Sequence, residues 1–170
     1  DQQGMIPEAL EEELERRKAA GELERVKAIY AVTYFDNPSS VTLSQNRRAE
    51  LVRIAQKWSG AVPLYLIEDA AYRELRYAGD DVPSLRSFDE EGDTVIFTNT
   101  FSKSFSPGIR LGYGVLPPAL VGPICDQKGN IDFGSPNFSQ YVMTEVLESG
   151  LFDEHVAGLQ RSYSAKMQTM

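Results

Sequence analysis

Two periods of hydrophobic and polar alternation run along this chain and mark its elements. Leu10 and Leu14, one turn apart, give Pro7 to Lys18 a narrow apolar stripe. Pro7 suits a first helical turn, Glu8 and Glu11 to Glu13 suit the positive end of a helix, and Arg16 to Lys18 suit the negative end. Ile29 to Phe35 is β-branched and aromatic and predicts a strand, closed by the turn cluster Asp36-Asn37-Pro38-Ser39-Ser40. Ser44 is a plausible N-cap. Leu51, Ile54, Ala55 and Trp58 then follow at helical spacing, and Gly60 ends that helix.

Leu64 to Ile67 is short and wholly apolar, which predicts a strand buried on both faces, with Glu68-Asp69 at its carboxyl end. Thr94 to Thr98 and Arg110 to Val115 read as two further strands. The residues between them are too few for a parallel crossover, so these strands are antiparallel or not neighbours. A helix is expected at 138–148. Another runs from Leu151 to Met170, with Phe152, Val156, Leu159 and Tyr163 on one face. The order predicts an α/β fold: a mostly parallel sheet with one antiparallel strand and helices on both faces.

Composition narrows the class. Hydrophobic residues make up 42% and charged residues 25% of 170, which excludes a disordered tail, a fibre and a disulfide scaffold. Seventeen Lys and Arg against 25 Asp and Glu give a net charge of −8. That argues against nucleic-acid or anionic-membrane binding through this segment, while leaving room for a local phosphate site. The single cysteine, Cys125, forms no internal disulfide and fits a cytoplasmic location. It has no Cys or His at ligand spacing, so no metal is expected. His155, between Glu154 and Val156, reads as a surface residue. No bilayer-length apolar run or leader pattern appears. Both ends read as cut from a longer protein.

In open α/β sheets, ligands sit beyond the carboxyl ends of the strands. Three polar clusters fall there: Asp36-Asn37, Glu68-Asp69 with Tyr72, and Thr100 to Lys103. Each member alone has a plain structural reading. Asn37 is a turn residue, Asp69 a backbone cap, Tyr72 a packed ring, Lys103 a loop charge and Arg110 a surface ion pair.

Their joint order carries more. Asn37-Pro38 precedes Glu68-Asp69-x-x-Tyr72-x-x-Leu75-Arg76-Tyr77, and then comes Thr100-Phe101-Ser102-Lys103-x-x-x-Pro107-Gly108-x-Arg110-x-Gly112. This resembles the fold-type I pyridoxal-phosphate-dependent aminotransferases of class I/II. It is most similar to the branch holding 2-aminoadipate and aromatic aminotransferases and the aminotransferase-like half of MocR/GntR-type regulators. The resemblance runs from about Ile29 to Tyr163.

The resemblance implies pyridoxal 5′-phosphate as cofactor and a role for each matching residue. Lys103 would be the Schiff-base lysine and the base that moves the substrate proton, for which it must be desolvated. Arg110 would clamp the phosphate, with the Thr100 and Ser102 hydroxyls alongside. Asp69 would pair with the pyridinium nitrogen, and Tyr72 and Asn37 would hydrogen-bond the phenolic oxygen. Lys103, Asp69 and Tyr72 form the implied catalytic set. Two positions depart from the family pattern: Ser40 stands where Asn-Pro-x-Gly has glycine, and Ala71 where a proline often precedes the tyrosine.

Residues 1–150 would then be the core of a cofactor-binding large domain, incomplete at its N-terminus, and 151–170 the start of a helix toward a small domain. The stacking aromatic, a phosphate loop and the carboxylate-binding arginine would lie outside the chain, so the isolated fragment is expected to be inactive. By analogy Phe133 to Gln140 makes cross-subunit contacts in a homodimer. The implied reaction transfers an amino group between an amino acid and a 2-oxo acid. The alternatives are a regulator's cofactor-binding sensor domain and a lyase on the same fold.

Overall fold

The computed structural model describes residues 1–169. One sheet contains β1 (Ala28–Val32), β2 (Tyr65–Asp69), β3 (Val95–Thr100) and β4 (Gly112–Val115), in that spatial order. The first three run parallel, and β4 pairs antiparallel with β3. The short, Ser- and Pro-rich connection before β4 allows that reversal and no helical crossover. The helices are α1 (Pro7–Ala19), α2 (Gln45–Trp58), α3 (Phe101–Ser104), α4 (Pro118–Asp132), α5 (Asn137–Glu148) and α6 (Leu151–Thr169). Met170, the last residue of the predicted final helix, lies outside the described residues.

Helix α4 is absent from the sequence expectation. Gly122, Pro123 and Gly129 interrupt any helical reading, and no residue of α4 is buried, so no apolar stripe marks it. The predicted strand from Ile29 to Phe35 ends at Val32, because Phe35 already takes a left-handed turn at φ 48°.

Leu14 of α1 and Leu51, Val52, Ile54 and Ala55 of α2 pack on Ile29, Leu66 and Val95 of the sheet. Burial therefore alternates along β1, β2 and β3, while β4 is exposed throughout. The expectation that β2 is buried on both faces is corrected. Register sets Tyr30, Ile67 and Ile96 in one row on the face away from the α1–α2 core; Ile67 and Ile96 are half-buried and Tyr30 is exposed.

The carboxyl edge of the sheet is held by a buried ionic knot. The Glu68 and Arg48 side chains are both 0% exposed. The Glu68 carboxylate accepts from Thr33 Oγ1 (2.9 Å), Arg48 Nη1 (3.4 Å), Leu85 N (3.0 Å) and the Ser84 hydroxyl. Arg48 also donates to the carbonyls of Leu43 (2.9 Å), Pro83 (3.0 Å) and Thr33, and its guanidinium lies 4.2 Å from the centre of the Tyr34 ring. A charge pair this deep stabilises only because its remaining donors and acceptors are matched.

Removing one partner leaves the other charge uncompensated. Arg48→Met is expected to lower unfolding stability by about 3–5 kcal/mol. Arg16→Ala, which breaks an exposed pair with Glu13, is expected to lower it by only about 0–1 kcal/mol. Urea denaturation of the two variants checks the contrast.

Candidate active site

Asp69 closes β2. Its Oδ1 accepts the backbone N–H of Ala71 at 3.0 Å, the turn an aspartate makes at a strand end. Its Oδ2 accepts the Tyr30 hydroxyl at 2.6 Å. Tyr30 is opposite Ile67 in the parallel register, so it reaches Asp69 along the diagonal to the residue two places on. The bond to Asp69, then desolvation and then the negative charges of Asp69 and Asp36, push the Tyr30 hydroxyl up to about 12.

Asn37 sits in the loop after β1. That loop closes through Asp36 N to Val41 O at 2.9 Å and Ser39 Oγ to Asp36 Oδ2 at 2.6 Å. Ser40 takes φ 60°, so the position where the family pattern has glycine does require the left-handed region. Asn37 Nδ2 lies 3.5 Å from Tyr72 Oη, and Lys103 Nζ lies 5.5 Å from the centre of the Tyr72 ring. Three segments, each at the carboxyl end of a parallel strand, thus bring an amide, a phenol and an amine together.

α3 follows β3 without a linker. Thr100 caps it by accepting from Ser102 N at 3.1 Å, and donates its own hydroxyl to Leu111 O at 3.3 Å. That hydroxyl is committed to the backbone, so Thr100 shapes the turn. Ser102 Oγ accepts from Arg110 Nη1 at 3.1 Å. Arg110 also donates to Pro107 O at 3.2 Å, and its φ of 50° is the left-handed strain that turns its guanidinium back toward α3.

The structure groups Asn37, Tyr72 and Lys103, groups Thr100, Ser102 and Arg110, and sets Asp69 against Tyr30. The groups are joined through the backbone: Ser102 adjoins Lys103, and Asp69 leads into the Tyr72 turn. Two expectations are corrected. Lys103 is exposed rather than desolvated, because the four-residue α3 projects it from the sheet's open end. His155 is half-buried, with Nε2 3.1 Å from Phe105 O and its ring 5.2 Å from the Phe105 ring. The signal was present: His155 shares a helical face with Phe152 and Leu159. Sequence reading also missed Tyr30, since its link to Asp69 follows from the β1–β2 register.

An apolar cleft of about 380 Å³ lies beside α3, lined by Phe101, Tyr113, Leu147 and Phe152 among others. Burial raises the Tyr113 hydroxyl above its usual value. Lys103, Asp69, Tyr72 and Arg110 do not line this cleft.

A mostly parallel sheet whose carboxyl end gathers an amine, a carboxylate, a phenol–amide pair and a guanidinium–hydroxyl pair defines a cofactor-binding α/β protein. The aminotransferase class I and II model matches residues 1–170, and the chain belongs to that family. It is 32% identical to aromatic-amino-acid aminotransferase 1 of Thermococcus litoralis over 170 residues, 100% of this chain and 39% of the relative. It is 30% identical to the uncharacterised HTH-type transcriptional regulator YisV of Bacillus subtilis over 86% of this chain and 28% of that protein. The crystal structure of Pyrococcus horikoshii kynurenine aminotransferase, in complex with PMP, is 33% identical. It superimposes with a TM-score of 0.90 over 97% of this chain and 39% of that one. The chain thus spans about two fifths of the aminotransferases it matches. The family's cofactor is pyridoxal 5′-phosphate. Among the described residues no helix is long and apolar enough to cross a membrane.

Two predictions follow from this geometry. The raised hydroxyl of Tyr30 means that it keeps its proton, and with it the bond to Asp69, below about pH 10 and gives it up as pH rises through about 12. In an alkaline titration read by phenolate absorbance, Tyr30→Phe should therefore lose a chromophore that develops near 12; loss of one developing at the ordinary value of about 10 would contradict the bond. At the left-handed turn, Ser40→Gly should leave stability unchanged or raise it by up to about 1 kcal/mol. Ser40→Val should lower it by about 1–2 kcal/mol, measured in urea.

Proposed function

We propose that this chain is the cofactor-gripping core of an amino-acid aminotransferase. The reaction moves an amino group from an amino acid to a 2-oxo acid. The observation carrying this reading is the donor set at the carboxyl edge of β1 to β3. An amine suits an aldehyde, a guanidinium beside a hydroxyl suits a phosphate, a carboxylate suits a ring N–H, and a phenol with an amide suits a phenolic oxygen. Every polar group of pyridoxal phosphate has a chemically matched partner there, so the residues fit the cofactor.

Arg110 Nη1 and Ser102 Oγ would hold the phosphate, in a turn shaped by Thr100. A planar fork presents parallel N–H donors to a dianion, which a lysine does not. Asp69 Oδ2 would take the ring nitrogen's proton in a hydrogen bond and keep that nitrogen charged. Tyr72 Oη and Asn37 Nδ2 would orient the ring through its phenolic oxygen. Bound in this way, the cofactor supplies an electron-withdrawing ring that lowers the cost of negative charge on the substrate carbon. Lys103 Nζ would hold the cofactor covalently, then, once displaced by the substrate amine, take the proton from that carbon and return it one position away. Its amine lies 5.5 Å from the centre of the Tyr72 ring, beside the phenol–amide pair.

A homodimer fits the exposed apolar side chains around the α4–α5 connection: Ile131 (79%), Phe133 (95%), Phe138 (81%) and Tyr141 (77%). A second, smaller domain beyond α6 and a cytoplasmic location belong to the same reading. The fragment itself would turn over little, because several partners of the cofactor lie outside it. The likeness to YisV favours a second reading, the cofactor-binding sensor of a regulator. A DNA-binding domain preceding Asp1 in the intact protein would select it.

In the intact protein, Lys103→Ala should abolish the visible absorbance that the wild type gains with pyridoxal phosphate. Arg110→Ala should weaken cofactor affinity about 10–100-fold, the loss of a charge-assisted pair. Unchanged spectra and affinity in both variants would refute the assignment.

A further inference from the structure

Tyr30 has no place in the reading above, yet it makes the shorter of the two hydrogen bonds to Asp69. It is 57% exposed, on the half-open face of the sheet, and its hydroxyl turns in to the carboxylate. We propose that Tyr30 is a positioning residue for Asp69, fixing the plane of the carboxylate that receives the cofactor's ring nitrogen. This rests on the proposed aminotransferase site and adds to it a residue on a different strand.

The geometry supports the role in two ways. A carboxylate at a strand end rotates freely about χ2 unless both oxygens are engaged. Here Ala71 N holds Oδ1 at 3.0 Å and Tyr30 Oη holds Oδ2 at 2.6 Å, which leaves one orientation. Oδ2 has a second acceptor site, so a ring N–H can join without displacing the phenol. A phenol is also an apt donor here. The groups around it are Asp69, Asp36 and Tyr72, and the two carboxylates keep its proton on at neutral pH. It therefore donates to Asp69 at neutral pH. Tyr30→Phe keeps the ring and removes only the hydroxyl, so the change should spare the fold.

The test is a double-mutant cycle on cofactor affinity in the intact protein, with Tyr30→Phe, Asp69→Asn and the double variant, titrated with pyridoxal phosphate by visible absorbance. Urea midpoints of the cofactor-free proteins are measured alongside. Tyr30→Phe should weaken affinity about tenfold, with a urea midpoint like that of the wild type and a shifted visible band. In the Asp69→Asn background the same change should have less than a twofold effect, because the two residues act as one unit. Equal losses in both backgrounds, no loss in the single variant, or a loss that tracks a lowered urea midpoint would each overturn the role of Tyr30 while leaving the site intact. Failure of the wild type to bind the cofactor would overturn both readings, so the two failures are distinct.

Discussion

The whole carboxyl edge of the sheet hangs on one buried carboxylate. Glu68 takes four donors from just past β1, from α2 and from the 84–85 turn, so three separate segments converge on its two oxygens. Its partner Arg48 spends its other donors on backbone carbonyls at Thr33, Leu43 and Pro83. The loop that carries Asn37 runs between Thr33 and Leu43, and is thereby pinned at both ends. Asp69 is the next residue after Glu68. A fixed Glu68 therefore sets where Asp69 leaves the sheet, and the Thr33 N to Asp69 O bond at 3.1 Å adds to that. The donors of this charged pair reach segments that an apolar side chain could not tie together.

This arrangement explains how weakly packed loops hold a precise array. α3 is four residues long and has no core of its own. Its position follows from direct continuation of β3, the Thr100 cap and the Phe101 N to Leu111 O bond at 3.0 Å. α6 adds a brace from the far side. His155 reaches the carbonyl of Phe105 just after α3, and Gln160 Nε2 donates to Glu74 O at 2.9 Å just after Tyr72. One helix thus contacts the backbone behind both members of the Lys103–Tyr72 pair.

The sequence made β1 to β3, α1 and α2 legible because each buries a stripe or an alternating face that periodicity records; α5 and α6 carry half-buried stripes, and β4 was read from its composition although it is exposed throughout. It left α4 unread, since a helix that buries nothing leaves no stripe. It misjudged Ile67, because an apolar residue shows what a position tolerates and not whether a second layer is present. Lys103, Arg110 and Asp69 were singled out through their order along the chain. Tyr30 and the Arg48–Glu68 knot were not, since both arise from register between segments far apart in sequence. Ser40 shows the opposite case: it stands where the family pattern has glycine, and the structure holds it in the left-handed region at φ 60°.

The central claim is that the amine of Lys103 is the covalent anchor of pyridoxal phosphate. Borohydride reduction of the intact protein loaded with the cofactor, followed by peptide mapping, tests it most directly. The account predicts a single pyridoxyl-modified peptide containing Ser102-Lys103-Ser104. Modification at another lysine, or none, would contradict it.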